Sequence, residues 1–334
     1  MSFLSDYASE GRTARVMLSL IAEPDDASLG ALIRRVGAGD ALRLLDSGDQ
    51  TSALPPDRAA VLHGRAQMLS GDRGAEARIR EVLDGRFVTV MPGDDHWPAA
   101  LDDLGDRAPL LLWARGATSL LSGGLDDRVT MTGSRASTPY GDQVANEIAG
   151  DLADREITLV SGGAYGIDGQ VHKSALARGG HTIAVLPAGI DRPYPYGHKE
   201  LFDRIGEVGL LVSELAPGAA PSRWRFMARS RLLAAMSTTT VIVEAGYRSG
   251  TLMVADQAQA LGRTVGAVPG PVTSAASSGA HRLLQQGMAS LVTHAGDVVE
   301  LAGRAGTPQE APARQLSHDA AQAAATKDEP RRAL

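Results

Sequence analysis

Three short segments combine glycine with hydroxyl side chains, and two of them also hold an arginine, a combination that suits a phosphate group. They span residues 133–141, 161–168 and 244–251, and each follows a run rich in β-branched residues. Glycines in such turns let an anion approach backbone N–H groups at a helix N-terminus, where the helix dipole favours negative charge. Ser249 is also expected to cap the helix after it. The residues predicted to bind the anion are Gly133, Ser134, Arg135, Ser161, Gly162, Gly163, Gly166, Ser249 and Gly250.

A dinucleotide is the first anion to consider, and the sequence matches its motif only in part. Residues 161–166 read S-x-G-x-x-G, not G-x-G-x-x-G, and the next predicted strand is followed by an acid, Asp191, only beyond a proline and a glycine. The P-loop motif G-x-x-x-x-G-K-[ST] is absent, which excludes a P-loop ATPase. An NAD site remains an alternative that is not favoured, and we predict no cofactor.

A basic segment at 223–231 favours a nucleic acid instead. It holds four arginines and no acid in a chain whose formal net charge is −6, and Trp224 and Phe226 lie between the arginines. Arginines that grip a backbone and aromatic faces that stack on bases are the parts of single-strand recognition. We expect this segment to be a loop along the strand's path. The alternative is that the aromatic residues enter the core and the arginines form a solvated face.

Residues that could catalyse a reaction are few. His172 could act as a base with Asp168 orienting it, but the pair has helical spacing and is better explained as a structural contact near a helix N-terminus. Neither a nucleophile elbow nor a metal triad is present. The pattern therefore indicates a binding protein, with no catalytic residue and no metal site.

Six β-branched runs between residues 128 and 268 must position these side chains. Most are followed by helical patterns, which is typical of βαβ units in a parallel sheet covered by helices on both faces. Such sheets bind ligands beyond the carboxyl ends of their strands, where the strand order reverses. The predicted strands are Val129–Thr132, Thr158–Val160, Thr182–Leu186, Leu210–Ser213, Thr240–Val243 and Val265–Val268.

The whole sequence divides into four predicted parts. Residues 1–84 are expected to form a small helical, SAM-like domain, 85–127 an adaptor, 128–302 an α/β Rossmann-like domain, and 303–334 a disordered tail. The 334 residues contain no cysteine, so disulfides and thiolate metal sites are excluded. With no signal or membrane segment apparent, we expect a cytoplasmic protein without membrane contact.

Taken together, the motifs resemble the DNA-processing protein A (DprA/Smf) family. They follow the family's order across about 129–287: Gly133-Ser134-Arg135, the segment 161–168 with His172, Tyr194-Pro195, Ser213-Glu214, Phe226 with Arg229 and Arg231, Glu244 with Ser249-Gly250, and Pro269-Gly270. The resemblance implies an extended Rossmann-like fold that binds single-stranded DNA. It also implies a homodimer that protects incoming strands and helps to load the RecA recombinase in natural transformation.

The resemblance also assigns roles to individual residues. It implies that Arg135 and the Gly162-Gly163 turn hold phosphates, and that Phe226, Arg229 and Arg231 line the strand's path. The family's Phe-Pro-x-Arg-Asn-Arg reads Phe226-Met-Ala-Arg-Ser-Arg231 here, and Tyr165 stands where a basic residue is common. The winged-helix domain of many members is expected to be absent.

Two other functions remain as alternatives. One is a phosphoribohydrolase-like nucleotide-processing enzyme, whose Pro-Gly-Gly-x-Gly-Thr-x-x-Glu motif is incomplete because Val254 stands at the place of its glutamate. The other is a protein that senses a small nucleotide. Release of a free base from a nucleoside monophosphate would indicate the enzyme, and stabilisation by nucleotides alone would indicate the sensor.

Overall fold

The parallel core of the fold forms where the sequence predicts it. The computed structural model describes residues 3–48, 54–71, 79 and 87–304. All six predicted strands are confirmed within one residue at either end, and a seventh, short strand follows them. Their side chains are almost all buried, as expected for strands covered on both faces. The parallel strands are β3 (Arg128–Thr132), β4 (Thr158–Ser161), β5 (Thr182–Val185), β6 (Leu210–Ser213), β7 (Thr239–Ile242), β8 (Thr264–Ala267) and β9 (Ser290–Leu291).

Two further strands make the sheet mixed, which corrects the expectation of a purely parallel one. β1 (Val88–Val90) and β2 (Leu112–Gly116) come from the adaptor; β1 pairs antiparallel with β2, and β2 pairs antiparallel with β6. An antiparallel strand needs no crossover helix, and here the chain returns through a 3₁₀ segment, Ala99–Arg107. The adaptor therefore extends the sheet at the β6 edge.

The strand order is β1-β2-β6-β5-β4-β3-β7-β8-β9. From β3 the chain builds outwards through β4, β5 and β6, and it then returns to the other side of β3 with β7. The order therefore reverses between β3 and β7. A crevice beyond the carboxyl ends of these two strands is the expected ligand position of such a sheet.

Eleven α-helices lie among the described residues. On one face of the sheet, Ile148, Val171 and Leu301 belong to one apolar cluster with strand residues, and on the other face Leu233 and Val254 belong to a second. The α/β Rossmann-like fold with helices on both faces is thus confirmed. The helices are α1 (Gly11–Ile21), α2 (Ala27–Val36), α3 (Ala38–Ser47), α4 (Pro56–Gly71), α5 (Pro139–Ala153), α6 (Ile167–Ala177), α7 (Lys199–Val208), α8 (Arg223–Ala235), α9 (Leu252–Ala260), α10 (Ser278–Gln285) and α11 (Ala295–Gly303).

The N-terminal helices α1 to α4 pack against one another and against the sheet edge. Their buried Leu18 and Leu42 share an apolar cluster with Trp113 of β2 and Phe202 of α7. The division into domains remains a prediction, and the predicted disordered tail lies outside the described residues from 305 onwards. Within the described ranges, no helix has both the length and the apolar character needed to span a bilayer.

Candidate nucleic-acid interface

A cavity of about 890 Å³ opens at the point where the strand order reverses. Its floor is formed by the ends of the strands, including Thr132 and Gly133 after β3, and its walls by the start of α8 and by the segment that precedes α9. The topology thus brings together residues from distant parts of the sequence. Of the predicted site residues, the cavity is lined by Gly133, Arg135, Phe226, Arg229, Ser249 and Gly250.

Hydrogen bonds join the three predicted loops into one unit. The Ser134 N–H donates to the Glu244 carbonyl over 2.7 Å, and the Ser134 carbonyl accepts from the Ile167 N–H at 3.1 Å. The Thr251 hydroxyl donates to the Gly133 carbonyl at 2.9 Å. The loops after β3, β4 and β7 therefore meet, as the sequence predicts, and each fixes the backbone of another.

The second loop lies beneath the cavity and contributes little of its surface. Gly162 and Gly163 are buried, and a Cβ atom at Gly162 would lie 2.5 Å from a guanidinium nitrogen of Arg229. At Gly163, with a φ of +71°, a Cβ would lie 2.6 Å from the Phe202 ring. Ser161 has no exposed surface and donates to the Met131 carbonyl at 2.7 Å. Packing between protein groups therefore requires these residues. The sequence motif alone predicts that they contact a phosphate.

Two carboxylates of the protein occupy positions where the sequence predicts a bound anion. Glu244 is buried and accepts from the Thr138 N–H at 2.9 Å and from its hydroxyl at 2.6 Å, at the start of α5. Asp168, in the first turn of α6, accepts from the Thr132 hydroxyl at 2.7 Å. The Thr138 N–H at the start of α5 therefore already faces an acid, and a phosphate must contact other groups of the cavity.

The basic segment is a helix and not the expected loop, because Ser222 caps α8 by accepting from the Arg225 N–H at 3.3 Å. Its first turns present Phe226 at the cavity, while Trp224, which is 51% exposed, lies outside the cavity lining. The Arg135 guanidinium lies 4.2 Å above the Phe226 ring, and the Tyr194 ring meets that ring edge-on at 5.9 Å between centroids. An exposed cation, a phenyl ring and a tyrosine thus form one contiguous surface.

Arg229 lies behind this surface and is only 9% exposed. Its Nη1 donates to the Gly162 carbonyl at 2.5 Å and to the Val185 carbonyl at 3.0 Å. Burial lowers the pKa of Arg229 to about 10, with the Asp168 carboxylate opposing that shift and Arg135 adding to it. The side chain is therefore charged at neutral pH, and it adds positive potential to the cavity while holding the second loop.

Arg231 and Arg225 point away from the cavity, which corrects the prediction that Arg231 lines the strand's path. Arg231 is 1% exposed, and its guanidinium contacts Glu214 at 2.7 Å and Asp25 at 3.2 Å. Arg225 pairs with Glu23 at 2.9 Å. Because α8 is a helix, the four arginines of 223–231 point to different sides. Two of them, Arg225 and Arg231, pair with acids of the N-terminal helical region.

Three residues of the cavity lie outside the site that the sequence predicts. Arg223, Arg248 and Tyr194 line the cavity, and no ion pair of either arginine is present among the described residues. Arg248 follows the fifth predicted strand within a glycine-rich segment, a signal that the sequence already contains. Arg135, Arg223 and Arg248 are the exposed cations of the cavity.

Ser249 is a smaller correction. The helix after it begins at Leu252, with Thr251 in the preceding position, and the Ser249 hydroxyl instead accepts from the Thr251 N–H at 3.3 Å. Ser249 therefore shapes the turn before α9 and does not cap the helix.

His172 has a structural role, but its hydrogen-bond partner is Thr182 and not Asp168, the partner that the helical spacing predicts. It has no exposed surface, and its Nδ1 lies 2.7 Å from the Thr182 hydroxyl, which itself donates to the Leu159 carbonyl at 3.0 Å. The imidazole therefore donates from Nδ1. Burial lowers the pKa of His172 to about 3, assisted by His198 and Arg229, so the ring is neutral at physiological pH.

Val254, at the position of the phosphoribohydrolase glutamate, lines the cavity with an apolar side chain. Among the described residues, no group of three or more His, Asp or Glu side chains is arranged to hold a metal ion.

Comparisons with known proteins agree on one group. Residues 88–303 match the family described as DNA recombination-mediator protein A. The chain is 44% identical to a DNA processing protein DprA of Mycobacterium tuberculosis over 304 residues, 86% of this chain and 74% of the relative. It is 39% identical to the DNA processing protein DprA of Streptococcus pneumoniae over 214 residues, 64% of this chain and 74% of the relative.

Two solved structures have the same architecture. DNA processing protein A from Streptococcus pneumoniae superimposes with a TM-score of 0.71 at 31% identity, covering 90% of this chain and 98% of that one. DNA processing protein A from Helicobacter pylori, described for its single-stranded DNA binding mode, gives a TM-score of 0.57 at 29% identity. That match covers 64% of this chain and 94% of the other.

Proposed function

The chain belongs to the DNA recombination-mediator protein A family, and we propose that it binds single-stranded DNA in recombination and natural transformation. The proposed site is the cavity at the carboxyl end of the sheet. Its support includes the relative from Helicobacter pylori, which is described as binding single-stranded DNA.

One observation carries the proposal: the Arg135 guanidinium lies 4.2 Å above the Phe226 ring at the cavity mouth, beside Tyr194. A ring that is held by neighbours and partly exposed offers a flat surface to a base, and the adjacent guanidinium can pair with the phosphate of that nucleotide. This combination is indifferent to base identity because every base has a π-face.

The predicted site residues then divide into two roles. We propose that Arg135 and Phe226 contact the strand with Gly133, Ser134, Ser249 and Gly250, and that Arg223, Arg248 and Tyr194 join them. Arg229 and the second loop, with Ser161, Gly162, Gly163 and Gly166, support the surface from behind. Arg231 is part of the scaffold.

The family resemblance supports further proposals about the whole protein. We propose that it acts in the cytoplasm as a homodimer, protects incoming strands, helps to load RecA, and binds DNA without catalysing a reaction on it. Sedimentation of the purified protein, alone and with RecA, measures both associations.

Fluorescence anisotropy of a labelled oligo-dT strand tests the site, against a matched duplex and across a salt series. The unchanged protein should prefer the single strand, and log affinity should fall with log salt by about 0.7 per phosphate contacted. Arg135→Ala should lower both the affinity and the slope, with the slope falling by about 0.7. Phe226→Ala should lower affinity and leave the slope unchanged.

The matched control is Arg178→Ala. Arg178 is an exposed arginine that follows the C-terminus of α6, the end away from the cavity, and it pairs with Asp154. It should leave DNA affinity unchanged. If Arg178→Ala weakens binding as much as Arg135→Ala, the effect reflects net charge and the assigned site is wrong. Thermal stabilisation by nucleotides without any strand binding would favour the sensing alternative, and release of a free base would favour the enzyme.

A further inference from the structure

Among the described residues, the exposed aromatic side chains lie at one end of the molecule. Among the described residues, every aromatic side chain in the group of large exposed apolar residues follows the carboxyl end of a parallel strand. These six are Tyr140, Tyr165, Tyr194, Tyr196, Trp224 and Tyr247. Exposure of aromatic rings to water is unfavourable, so their concentration around the proposed DNA site indicates that the binding surface extends beyond the cavity.

Tyr247 has a built support from an arginine. It follows β7, on the opposite side of the switch point from β4 and β5, and its ring is 59% exposed. The Arg282 guanidinium of α10 lies 5.0 Å from the ring centroid, and its Nη1 donates to the Tyr247 carbonyl at 3.2 Å. One arginine therefore fixes the backbone and backs one face of the ring.

The arrangement repeats that of Phe226 with Arg135, an aromatic ring beside a guanidinium. The next residue, Arg248, is exposed, lines the cavity and has no ion pair within the described residues. Arg248 therefore connects the cavity with the Tyr247 ring, because it lines the cavity and is next to Tyr247 in the chain. A stacked nucleotide needs a cation for its phosphate and a ring for its base. Arg135 with Phe226 is one such pair, and Arg248 with Tyr247 is a second.

We propose that Tyr247, held by Arg282, is a second base-stacking position, reached by the same single strand after it passes Arg248. The inference rests on the proposed function, since it extends that site. With this second position, the protein contacts more nucleotides of the strand than the cavity alone would contact.

A length series of oligo-dT strands, from about 4 to about 16 nucleotides, tests the proposal. Tyr247→Ala should bind the shortest strands as the unchanged protein does and should become weaker, roughly tenfold, once the strand spans both rings. Tyr247→Phe should bind as the unchanged protein does at every length, because the ring and not the hydroxyl stacks. Phe226→Ala should weaken all lengths. Thermal unfolding of each variant verifies that the fold is intact.

Three results would overturn the inference. The first is equal affinity of Tyr247→Ala and the unchanged protein at every length. The second is equal weakening at all lengths, which would make Tyr247 part of the first position. The third is a loss in Tyr247→Phe as large as in Tyr247→Ala. If the unchanged protein binds no strand at any length, the proposed function fails and the inference with it, whereas the three results above leave the proposed function standing.

Discussion

At the scale of single residues, Gly162 is set by its protein neighbours. A Cβ atom there would lie 2.5 Å from a nitrogen of Arg229 and 2.6 Å from a carboxylate oxygen of Asp168. Gly162→Ala should therefore push Arg229 from its carbonyl partners and lower the free energy of unfolding by about 1–3 kcal/mol, as overpacking does. Urea-induced unfolding measures the change.

Gly250→Ala is the control for this prediction, because a Cβ at Gly250 meets no atom within 4 Å. It should leave the free energy of unfolding within about 0.5 kcal/mol of the unchanged protein. Equal stability of the two variants would contradict the packing role of Gly162.

His172 gives the protein a pH dependence. Its pKa is about 3 in the fold and 6.5 in the unfolded reference, so between these values the unfolded chain binds the extra proton. The free energy of unfolding should fall as pH falls through this window, by up to about 1.4 kcal/mol per pH unit. His172→Gln should show a shallower slope between pH 6.5 and pH 4 in urea unfolding.

His181→Gln is the matched substitution, since His181 is exposed and lies directly before β5. It should keep the slope of the unchanged protein. A His172→Gln slope that equals the unchanged slope would show that the ring is protonated in the fold.

At the scale of elements, α5 depends on a carboxylate from another strand's end. Glu244, after β7, accepts from both the N–H and the hydroxyl of Thr138, the residue before α5. An amide offers one acceptor oxygen, so Glu244→Gln leaves one buried donor without its partner and should cost about 1–3 kcal/mol in unfolding free energy. Chemical denaturation measures this, and the exposed Glu147→Gln on α5 should be neutral.

The same scale shows what the sequence could predict. The six parallel strands follow from buried β-branched runs, and their register leaves the three loops at one edge. The four arginines at 223–231 look alike in sequence, yet only Arg223 is an exposed cation of the cavity. Their separation depends on α8 and on partners such as Glu23, 202 positions away from Arg225, which local patterns do not contain.

At the scale of the whole molecule, an acidic turn fastens the N-terminal helices to the sheet domain. Between α1 and α2, Asp25 pairs with Arg107 at 2.7 Å and with the buried Arg231 at 3.2 Å, and Glu23 pairs with Arg225. Arg231 is buried, so solvent screens its pair with Asp25 less than it screens a surface pair. The turn therefore contributes more than surface ion pairs do.

Asp25→Asn tests this attachment, because asparagine tolerates the positive φ of 64° at this position, while the charge and one acceptor oxygen for Arg107 are lost. We expect a loss of about 1–2 kcal/mol, with faster hydrogen exchange in α1 to α3 and unchanged exchange in β3 and β7. Asp40→Asn, at an exposed pair with Arg43, should change neither. Uniformly faster exchange across the sheet would instead indicate that Asp25 stabilises the entire fold.

The sequence separation between that turn and its partners also determines when their contacts can form during synthesis. A ribosome adds about 5–20 residues per second, so Glu23 is made roughly 10–40 s before Arg225. During that interval the acidic turn has no arginine of α8 to meet. The acidic turn is thus made well before its partners on α8, and it must stay unaggregated until β1 to β6 have been translated.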